Sequence, residues 1–516
     1  MLSLSVLVPV YNEEHLVATS LSRLEIFETS PLLSRVQVIV VDDCSKDGTA
    51  EVLKRFISAK ELQTGGEGSS RPLRRRDSKT EWTFLRHERN SGKGRAIRTA
   101  LAHANCDVTV IHDADLEYHP TDLLRIAKVF DEEGADAVFG SRFAGSESRR
   151  VLLFRHELGN RLLTFLTNLV TNLNLTDMET CYKAVRTDLL KSIPIVSNDF
   201  RLEPELTIKL AKREARVFEV PIRYSGRTYQ EGKKINWVDG LKALTAIARF
   251  TISDDIYVPD AYGSQILGRI ARAPRFNEWM ADVIRPWCGT RVLELGSGLG
   301  SITRSLVPRK RYVASDVNPL HLEVLRALQV DRPYLDAQFC DVTDLATYPR
   351  LEEGFDTVIA LNVLEHVEDD LAALRNVRSV LAPGGRAIVL VPQGERLFGS
   401  LDEVLGHKRR YSGSTLRQLA QDAGFVVKEC LPFNRIGTPA WWLNAKLMRR
   451  RSFGLLQVLG LNLLTPVLRK IDQALPFPPL SLVAVLEPVA VPAEARCGAA
   501  EARAAATGQV ARRATI

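Results

Sequence analysis

The chain has 516 residues, and its 69 Lys and Arg residues against 62 Asp and Glu residues give a formal net charge of +7. This length predicts two or three hydrophobic cores. Hydrophobic residues make up 45% of the chain and charged residues 25%, which excludes a mainly disordered, collagenous or many-span membrane protein. The charge excess is modest and no basic stripe carries interleaved aromatic residues, so nucleic-acid binding is not predicted.

The seven cysteines are scattered and contain no C-x-x-C pair. This spacing argues against a disulfide framework or a zinc site and favours a reducing compartment. The chain runs directly into the β-branched segment Leu4–Val10, without a basic leader or a small-residue cleavage site. We therefore expect a strand there, not a signal peptide, and a cytoplasmic location.

The first half of the chain alternates short apolar runs with amphipathic helical patterns, which predicts an α/β fold with a mostly parallel sheet. The predicted strands are Leu4–Val10, Val36–Val41, Thr109–His112 and Ala137–Phe139, and the predicted helices are Glu14–Glu25, Thr49–Phe56, Gly94–His103 and Asp122–Glu132. Residues 60–80 interrupt the alternation with glycine, serine and a run of three arginines, and we expect a solvated surface loop there.

A second alternating series predicts another sheet. Its strands are Arg291–Leu295, Tyr312–Ser315, Ala337–Cys340, Thr357–Asn362 and Arg386–Val391. We expect one domain over residues 1–252, a linker over 253–268, and a second domain over 269–490 that ends in a helical extension. The Ala-, Arg- and Glu-rich residues 491–516 are expected to be disordered.

An uncharged stretch at residues 452–468 complicates this picture. It is slightly short for a membrane span, which needs about 20 apolar residues, and it contains Pro466. We expect a buried or interfacial helix. The neighbouring pair Trp441 and Trp442 is expected in the core, although it is also suited to a membrane surface.

Acidic residues follow three of the predicted strands in the first half. Glu13 follows the first strand, Asp42 ends the second, and Asp113 and Asp115 follow the third. Ligands bind at the carboxyl ends of parallel strands, so these acids are expected to converge on one crevice. Clustered carboxylates repel one another unless a cation lies between them, and oxygen ligands suit Mg²⁺ or Mn²⁺.

These segments, together with Gly140–Phe143 and Thr180–Lys183, resemble the family-two glycosyltransferases of GT-A fold. Within that family they are most similar to the polyprenyl-phosphate hexose synthases, such as dolichyl-phosphate mannose or glucose synthase. The resemblance covers about residues 1–250. It implies an inverting transfer from a nucleotide-diphosphate sugar, with a metal ion and cations stabilising the departing nucleoside diphosphate.

The resemblance also implies roles for individual residues. Nucleotide contacts are expected from Pro9, Tyr11, Glu13, Asp42, Lys93 and Lys233. The metal ligands are expected to be Asp113 and Asp115, with Glu117 contributing more weakly. Catalytic roles fall to Asp113, Asp115, Arg142, Glu205 and Arg227. Arg142, Arg201, Arg227 and Lys233 are expected to face anionic groups, and residues 226–234 resemble a basic loop that closes over the donor.

The acceptor has two alternatives. A polyprenyl phosphate is already anionic and needs no strong base, whereas a glycan or glycolipid hydroxyl requires one, for which Glu203, Glu205 and Asp177 are candidates. Glu205 is equally compatible with a helix salt bridge to Arg201. Many lipid-linked relatives carry C-terminal membrane helices where this chain has a second domain, which leaves a lipid acceptor in question.

A glycine-rich turn follows the first strand of the second half. Gly296, Gly298 and Gly300 come after Glu294, and Asp316 ends the next strand about 20 residues after Gly296. Glycines allow the backbone to turn tightly and approach a ligand, and an acid at this separation suits ribose hydroxyls. Asp341 follows the third strand at the same predicted edge.

This pattern, over about residues 265–430, resembles class I S-adenosylmethionine-dependent methyltransferases with a Rossmann-like fold. The resemblance implies that Glu294, Gly296 and Gly298 line the methionine and ribose side. It also implies that Asp316 binds the ribose, that Asp341 binds the adenine edge and that Asn362 faces the methyl donor. An NAD-dependent enzyme is the alternative. His366 and His407 are candidate bases, although a lone histidine is more often structural or solvated.

Together these observations predict a bifunctional enzyme of a cell-envelope pathway. One domain transfers sugar to a polyprenyl phosphate or to a glycan or glycolipid, and the other transfers a methyl group from S-adenosylmethionine in the same pathway. The expected ligands are Mg²⁺ or Mn²⁺, a nucleotide sugar and S-adenosylmethionine. Peripheral contact with the inner face of a membrane is allowed. The alternative is that only one domain is active and that the other is a binding or scaffold module.

Overall fold

The computed structural model describes residues 1–59, 73–74, 78–145, 154–226, 237–253, 255–258, 264–330, 332–450 and 453–489. The chain forms two compact units, Met1–Pro259 and Asp260–Ile516. The border between them falls within the predicted linker, although a helix already begins at Ser264. The predicted tail 491–516 and most of the predicted loop 60–80 lie outside the described residues. The predicted limits of the two functional domains, 1–252 and 269–490, stay a prediction.

The first unit is built on an eight-stranded sheet with the order β3-β4-β2-β1-β5-β7-β6-β8. Its strands are β1 (Leu2–Val10), β2 (Leu33–Asp42), β3 (Leu73–Arg74), β4 (Thr80–Arg86), β5 (Val108–Ile111), β6 (Ala137–Ser141), β7 (Lys183–Arg186) and β8 (Val217–Pro221). Strands β4, β2, β1 and β5 run parallel, whereas β7 runs antiparallel to both of its neighbours. The sheet is thus mixed, and its parallel half carries the acidic strand ends.

The helices of the first unit cover this sheet. They are α1 (Val17–Arg23), α2 (Thr49–Ala59), α3 (Lys93–His103), α4 (Thr121–Glu132), α5 (Phe154–Thr171), α6 (Thr187–Ser192), α7 (Leu202–Lys212) and α8 (Trp237–Ile252). Apolar residues of α1, α3 and α4 pack against the buried β-branched residues of β1 and β2. A smaller cluster joins α5, α7 and α8 around Met178 and Phe250. The predicted α/β class is confirmed.

The second unit has a seven-stranded sheet with the order β11-β10-β9-β12-β13-β15-β14. Its strands are β9 (Arg291–Leu295), β10 (Arg311–Asp316), β11 (Leu335–Phe339), β12 (Phe355–Leu361), β13 (Leu381–Pro392), β14 (Phe425–Phe433) and β15 (Ser481–Pro488). Strands β9 to β13 are parallel and β15 is antiparallel to both β13 and β14. The strand order reverses between β9 and β12, where open α/β sheets bind their ligands.

Helices flank the second sheet as well. They are α9 (Ser264–Ala271), α10 (Pro274–Ile284), α11 (Ser301–Leu306), α12 (Pro319–Gln329), α13 (Asp370–Val380), α14 (Ser400–Leu405), α15 (Gly413–Asp422), α16 (Gly437–Trp441) and α17 (Leu455–Ile471), and a π-helical turn covers Trp442–Leu447. Two apolar clusters lie on the opposite faces of the sheet.

The uncharged stretch at 452–468 forms most of α17, a 17-residue helix that contains Pro466. Val458 and Thr465 are buried, whereas Leu456 and Leu463 are exposed. No helix in the described part of the chain is both long and apolar enough to cross a membrane. The expectation of a buried tryptophan pair was wrong for Trp442, whose surface is 50% exposed.

Candidate active sites

The parallel strands of the first unit bring the predicted acidic residues to one edge. The register pairs Val10 with Asp42, and Asp42 with Arg86 on the next strand. The residues that follow β1, β2 and β5 include Asn12, Cys44 and Leu116, all with positive φ angles of 52–64°. Such backbone is sparsely populated by non-glycine residues and clusters at functional sites. The three turns therefore form one specialised edge, as the sequence predicts.

Asp42 ends β2 with a buried carboxylate. Its Oδ1 accepts a hydrogen bond from the Ser45 backbone N–H at 2.9 Å. The Nε of Arg86, from the neighbouring strand, lies 3.2 Å from Oδ2. Asp42 is therefore held rigidly at the edge by its own turn and by one arginine. Pro9 lies within the same parallel ladder, opposite Val41. Glu13 donates its backbone N–H to Thr49 at the start of α2, at 2.9 Å.

The neighbouring Asp43 has a structural role that the sequence did not reveal. Its carboxylate accepts hydrogen bonds from the backbone N–H groups of Ser91 and Gly92 at 2.6–3.0 Å, and lies 2.7 Å from His87 Nδ1. These contacts fix the turn that begins α3, whose first residue is Lys93. Asp43 thereby positions Lys93 from 50 residues away.

Lys93 points between two carboxylates. Its Nζ lies 3.0 Å from Asp113 Oδ2 and 3.1 Å from Glu203 Oε1. Burial alone lowers the pKa of Lys93, but the charges of Asp113 and Glu203 raise it well above its usual value. Burial raises the pKa of Asp113, but Lys93 outweighs that effect and leaves it lowered. The predicted nucleotide residue and the predicted metal ligand are thus in direct contact, as an ion pair.

The three predicted metal ligands are not brought together as one set. Glu117 Oε2 accepts a hydrogen bond from the Tyr224 hydroxyl at 2.6 Å. Asp115 Oδ1 accepts one from the Glu117 backbone N–H at 3.1 Å. Among the described residues, Asp113, Asp115 and Glu117 do not converge as metal ligands do. Asp113 and Asp115 remain half-buried at the edge, where two carboxylates suffice for Mg²⁺ if substrate phosphates supply the other ligands.

A further acidic residue, Glu179, interacts with Glu203 and was not among the candidates that the sequence offered. One oxygen each of Glu179 and Glu203 is buried without a hydrogen-bond partner in the described structure. Burial, followed by the charge of Glu203, raises the pKa of Glu179 to about 7. Lys183 does not neutralise the pair by hydrogen bonding, because its Nζ donates to the carbonyls of Met178 and Thr180. Glu179 directly precedes the Thr180–Lys183 segment, which was the available signal.

Arg142 is occupied by a carboxylate and does not stand free to meet an anion. Its Nε and Nη2 donate to the two oxygens of Asp177 at 2.6 and 2.7 Å, and both side chains are buried. Burial lowers the pKa of Arg142, but Asp177 raises it well above its usual range. The guanidinium also lies over the Tyr224 ring, 5.1 Å from its centre. Both carboxylate oxygens of Asp177, a candidate base, accept hydrogen bonds from Arg142.

Glu205 is also tied to structural partners. Its carboxylate accepts hydrogen bonds from the backbone N–H groups of Val196 and Ser197 at 2.8 Å each, and from Lys209 Nζ at 2.7 Å. The considered salt bridge from Arg201 to Glu205 does not form, because Arg201 pairs with Asp199 at 2.8 Å. This arrangement gives no support to Glu205 as a base. Arg227 and Lys233 lie outside the described residues.

The glycine turn of the second unit has the conformation that its sequence predicts. Gly296, Gly298 and Gly300 have φ angles of 66°, 55° and 72°, which side chains with a Cβ rarely adopt. The Gly298 backbone N–H donates to Asp316 Oδ2 at 2.8 Å, and Asp316 Oδ1 accepts from Asn318. The predicted ribose-binding acid therefore lies directly against the glycine turn.

Glu294 does not line this crevice, contrary to expectation. Its Oε2 accepts hydrogen bonds from Thr303 Oγ1 at 2.5 Å and from the Tyr312 hydroxyl at 2.9 Å. Burial raises the pKa of Glu294 to about 7, against the effect of these hydrogen bonds. Glu294 thus fastens β9 to β10 and α11 from inside the unit, and it supports the turn instead of touching a ligand.

The ends of β11 and β12 complete this edge. Asp341 Oδ1 accepts hydrogen bonds from the backbone N–H and hydroxyl of Thr343 at 2.8 and 2.7 Å, so its carboxylate organises its own turn. Asn362 is exposed and has a φ of 53°. The next residue, Val363, lies so close to Gly296 that a Cβ built on the glycine would be 2.6 Å from Val363 Cγ2. The Asn362 turn and the glycine turn are therefore neighbours.

The two candidate histidines lie beyond Asn362. Their rings are 4.8 Å apart and nearly perpendicular. His407 Nδ1 lies 2.9 Å from Asp402 Oδ1. Burial lowers the pKa of His366 to about 4, so its imidazole is neutral at pH 7.

Comparisons with known proteins agree with this division. Residues 5–193 match the family described as glycosyl transferase family 2, and residues 293–387 match a methyltransferase domain. The chain is 24% identical to UDP-N-acetylglucosamine–dolichyl-phosphate N-acetylglucosaminyltransferase of Methanococcus voltae over 241 residues, which is 46% of this chain and 91% of that protein. It is 27% identical over 229 residues to undecaprenyl-phosphate 4-deoxy-4-formamido-L-arabinose transferase of Edwardsiella ictaluri, covering 44% and 62% of the two chains.

The solved structures similar to parts of this chain include a methyltransferase. An S-adenosylmethionine-dependent methyltransferase from Mesorhizobium loti is 16% identical, with a TM-score of 0.30 over 41% of this chain and 97% of that one. The matches to the two families fall on separate parts of the sequence and leave residues 194–292 between them. The chain thus joins a glycosyl transferase family 2 domain to a methyltransferase domain.

Proposed function

We propose that the first unit transfers a sugar from a nucleotide-diphosphate donor to a polyprenyl phosphate, and that the second transfers a methyl group from S-adenosylmethionine. The proposal of sugar transfer rests on the contact between Lys93 and Asp113, which lies at the same strand edge as Asp42. The Lys93 ammonium and the Asp113 carboxylate form an ion pair at the edge where parallel strands bind ligands. The two relatives named above, which act on dolichyl and undecaprenyl phosphates by their names, support this acceptor class.

The donor is proposed to bind along this edge. Asp42 would meet the nucleoside, and Lys93 would supply positive charge to the diphosphate. We propose that Asp113 and Asp115 hold Mg²⁺ or Mn²⁺ together with the donor phosphates, because such ions are bound through one or two carboxylates and substrate oxygens. When bound, the ion would stabilise the charge of the leaving nucleoside diphosphate.

A phosphate acceptor suits the site better than a hydroxyl. Two of the three candidate bases are occupied, Asp177 by Arg142 and Glu205 by Lys209. The third, Glu203, is held by Lys93. A hydroxyl would need one of them as a base, whereas a phosphate monoester is already largely ionised at neutral pH.

One face of α5 supports contact with a membrane, where a polyprenyl phosphate resides. The exposed apolar side chains of this helix recur every three to four residues, so they share one face. They are Phe154, Leu158, Leu162, Phe165 and Leu169. The helix α17 also exposes apolar side chains at helical spacing, including Leu456, Leu463 and Val467. We propose a cytoplasmic protein that binds the inner face of the membrane peripherally.

In the second unit, S-adenosylmethionine is proposed to bind at the glycine turn. Asp316 is placed for the ribose hydroxyls and Asp341 for the adenine edge, and Asn362 is proposed to face the methyl donor. Methyl transfer from a sulfonium depends mainly on alignment, so no base is required for an ionised acceptor. Fusion of the two domains is the support for a shared pathway.

The test is a panel of UDP- and GDP-sugars offered to the full chain with polyprenyl phosphate and Mg²⁺, with S-adenosylmethionine present or absent. We expect a sugar-linked lipid phosphate from one donor, and a methyl-labelled product only when S-adenosylmethionine is present. The alternative, that one domain is a binding module, predicts one of these products but not the other. Transfer to free glycan hydroxyls without any lipid product would contradict the proposed acceptor.

A further inference from the structure

A second side-chain cluster lies beyond Asn362, on the residues Glu365, His366 and His407. Each contributes one potential ligand atom, and these three atoms all lie within 4.8 Å of one another. Glu365 and His366 form a short turn directly after β12, and His407 follows α14. In the described part of the chain, no other group of acidic, histidine or cysteine side chains converges in this way.

Glu365 has no partner that accounts for its burial. Its surface is fully buried, and neither carboxylate oxygen accepts a hydrogen bond from another described residue. The nearest basic side chain is that of His407, whose Nε2 is 3.9 Å from Glu365 Oε1, beyond hydrogen-bond distance. Arg410 is not the partner of Glu365, because its Nε donates to Asp402 Oδ1 at 2.8 Å. Buried carboxylates are usually paired or bound to metal ions, so Glu365 is a candidate metal ligand.

His407 is oriented as metal-binding histidines are. Its Nδ1 donates to Asp402, which fixes the tautomer with the Nε2 lone pair on the side of Glu365. Asp402 is itself held by the Gly399 backbone N–H at 2.9 Å and by Arg410. A carboxylate behind a histidine is the usual support of a metal ligand. The His366 ring packs nearly perpendicular to the His407 ring, with 4.8 Å between the two ring centres.

We propose that Glu365, His366 and His407 bind a divalent transition-metal ion in the methyltransferase domain. Two imidazoles and one carboxylate suit Zn²⁺, Mn²⁺ or Fe²⁺, and they differ from the oxygen-only ligands that Mg²⁺ prefers. Three protein ligands leave at least one coordination position open to water or to a substrate oxygen. This site is separate from the donor-bound ion proposed for the first unit. The cysteine spacing that argued against zinc does not bear on it, because it contains no cysteine.

The test measures Zn²⁺ alone on the full chain, so it does not depend on either transferase activity. The protein is stripped with chelator and dialysed against buffered Zn²⁺, and bound zinc is counted by mass spectrometry of the metal. We expect the wild type to bind one more tightly held Zn²⁺ than Glu365→Gln. Glu368→Gln is the matched control, because its side chain is 81% exposed and lies three residues away. It should bind zinc like the wild type.

Two further measurements keep the result decisive. Asp402→Asn should bind the ion about 10–100-fold more weakly, as loss of a supporting carboxylate does. The Co²⁺-loaded wild type should show visible ligand-field absorption that His407→Gln lacks. This comparison tests the site even if Glu365→Gln fails to fold. Equal zinc content and affinity in the wild type and Glu365→Gln, or no bound zinc in the wild type, would overturn the proposal.

Discussion

The Lys93 ammonium lies 3.0 Å from the Asp113 carboxylate, and this ion pair occupies the meeting point of α3 and the end of β5. Asp43 sets the position of Lys93 through the turn before α3, and the strand sets the position of Asp113. The pair is therefore preorganised by two independent elements. The donor diphosphate proposed to bind at this edge would meet the ammonium of Lys93 already fixed in place.

Removing the Lys93 charge should destabilise the first unit. Lys93→Met leaves the half-buried carboxylate of Asp113 and the buried carboxylate of Glu203 without a cation, and breaking a buried ion pair costs about 3–5 kcal/mol. Urea unfolding of the full chain measures this loss. The double variant Lys93→Met/Asp113→Asn should recover part of it, because one uncompensated charge is removed. A loss below about 1 kcal/mol, the size of a surface ion pair, would mean that the pair is solvent-screened.

Glu294 should make the second unit less stable as the pH rises. Its pKa is about 7 in the folded chain against 4.5 as its ordinary value, so the folded state binds the proton more tightly. Stability from this group is present below pH 4.5 and is lost as the pH rises to 7, by about 3 kcal/mol in total. Free energies of unfolding between pH 4.5 and 8 should fall less steeply in Glu294→Gln. Parallel pH curves for wild type and variant would be inconsistent with the buried acid.

The glycine turn offers a matched pair of substitutions. Gly296→Ala strains a backbone with a φ of 66° and also places a Cβ 2.6 Å from Val363 Cγ2. Gly384→Ala strains a backbone with a φ of 74° but meets no atom within 4 Å. Each left-handed alanine costs about 1–2 kcal/mol. Calorimetry should show weaker S-adenosylmethionine binding for Gly296→Ala only, and equal affinities in both variants would remove the glycine turn from the ligand site.

Membrane contact through α5 can be tested with liposomes. Phe165→Asp adds a charge to the exposed apolar face, where its side chain would lose favourable contact with lipid. We expect less protein to co-sediment with vesicles that contain anionic lipid. Val426→Asp is the control, because Val426 is an exposed apolar residue on β14 of the other unit. A comparable loss in both variants would assign the effect to general solubility.

Sequence patterns predicted β1 and β2 from their continuous apolar runs, but they missed β8, β14 and β15, although β15 also contains a continuous apolar run. They missed β4, because Thr80–Arg86 mixes polar and apolar residues and directly follows the polar insertion. Its parallel pairing with β2 is set by tertiary structure, with Val38 opposite Trp82. The antiparallel β7 was missed for a related reason, since four residues between two helices carry little signal.

Site residues at strand ends were predictable because parallel topology alone brings them together. Partners across long sequence separations were not, as shown by Arg142 with Asp177 and by Asp43 with Gly92. Glu294 shows a third limit. Its place beside a glycine motif suggested ligand contact, but side chains alternate across a strand, and this one points to Tyr312 inside the unit.

The central claim is that the two crevices are separate and that each depends on its own acidic residue. Titration calorimetry of the full chain with a nucleotide sugar plus Mg²⁺, and separately with S-adenosylmethionine, tests it directly in Asp115→Asn and Asp316→Ala. We expect Asp115→Asn to lose nucleotide-sugar binding and to keep S-adenosylmethionine binding, with the reverse for Asp316→Ala. Loss of both ligands in either folded variant, or of neither ligand in both, would contradict the account.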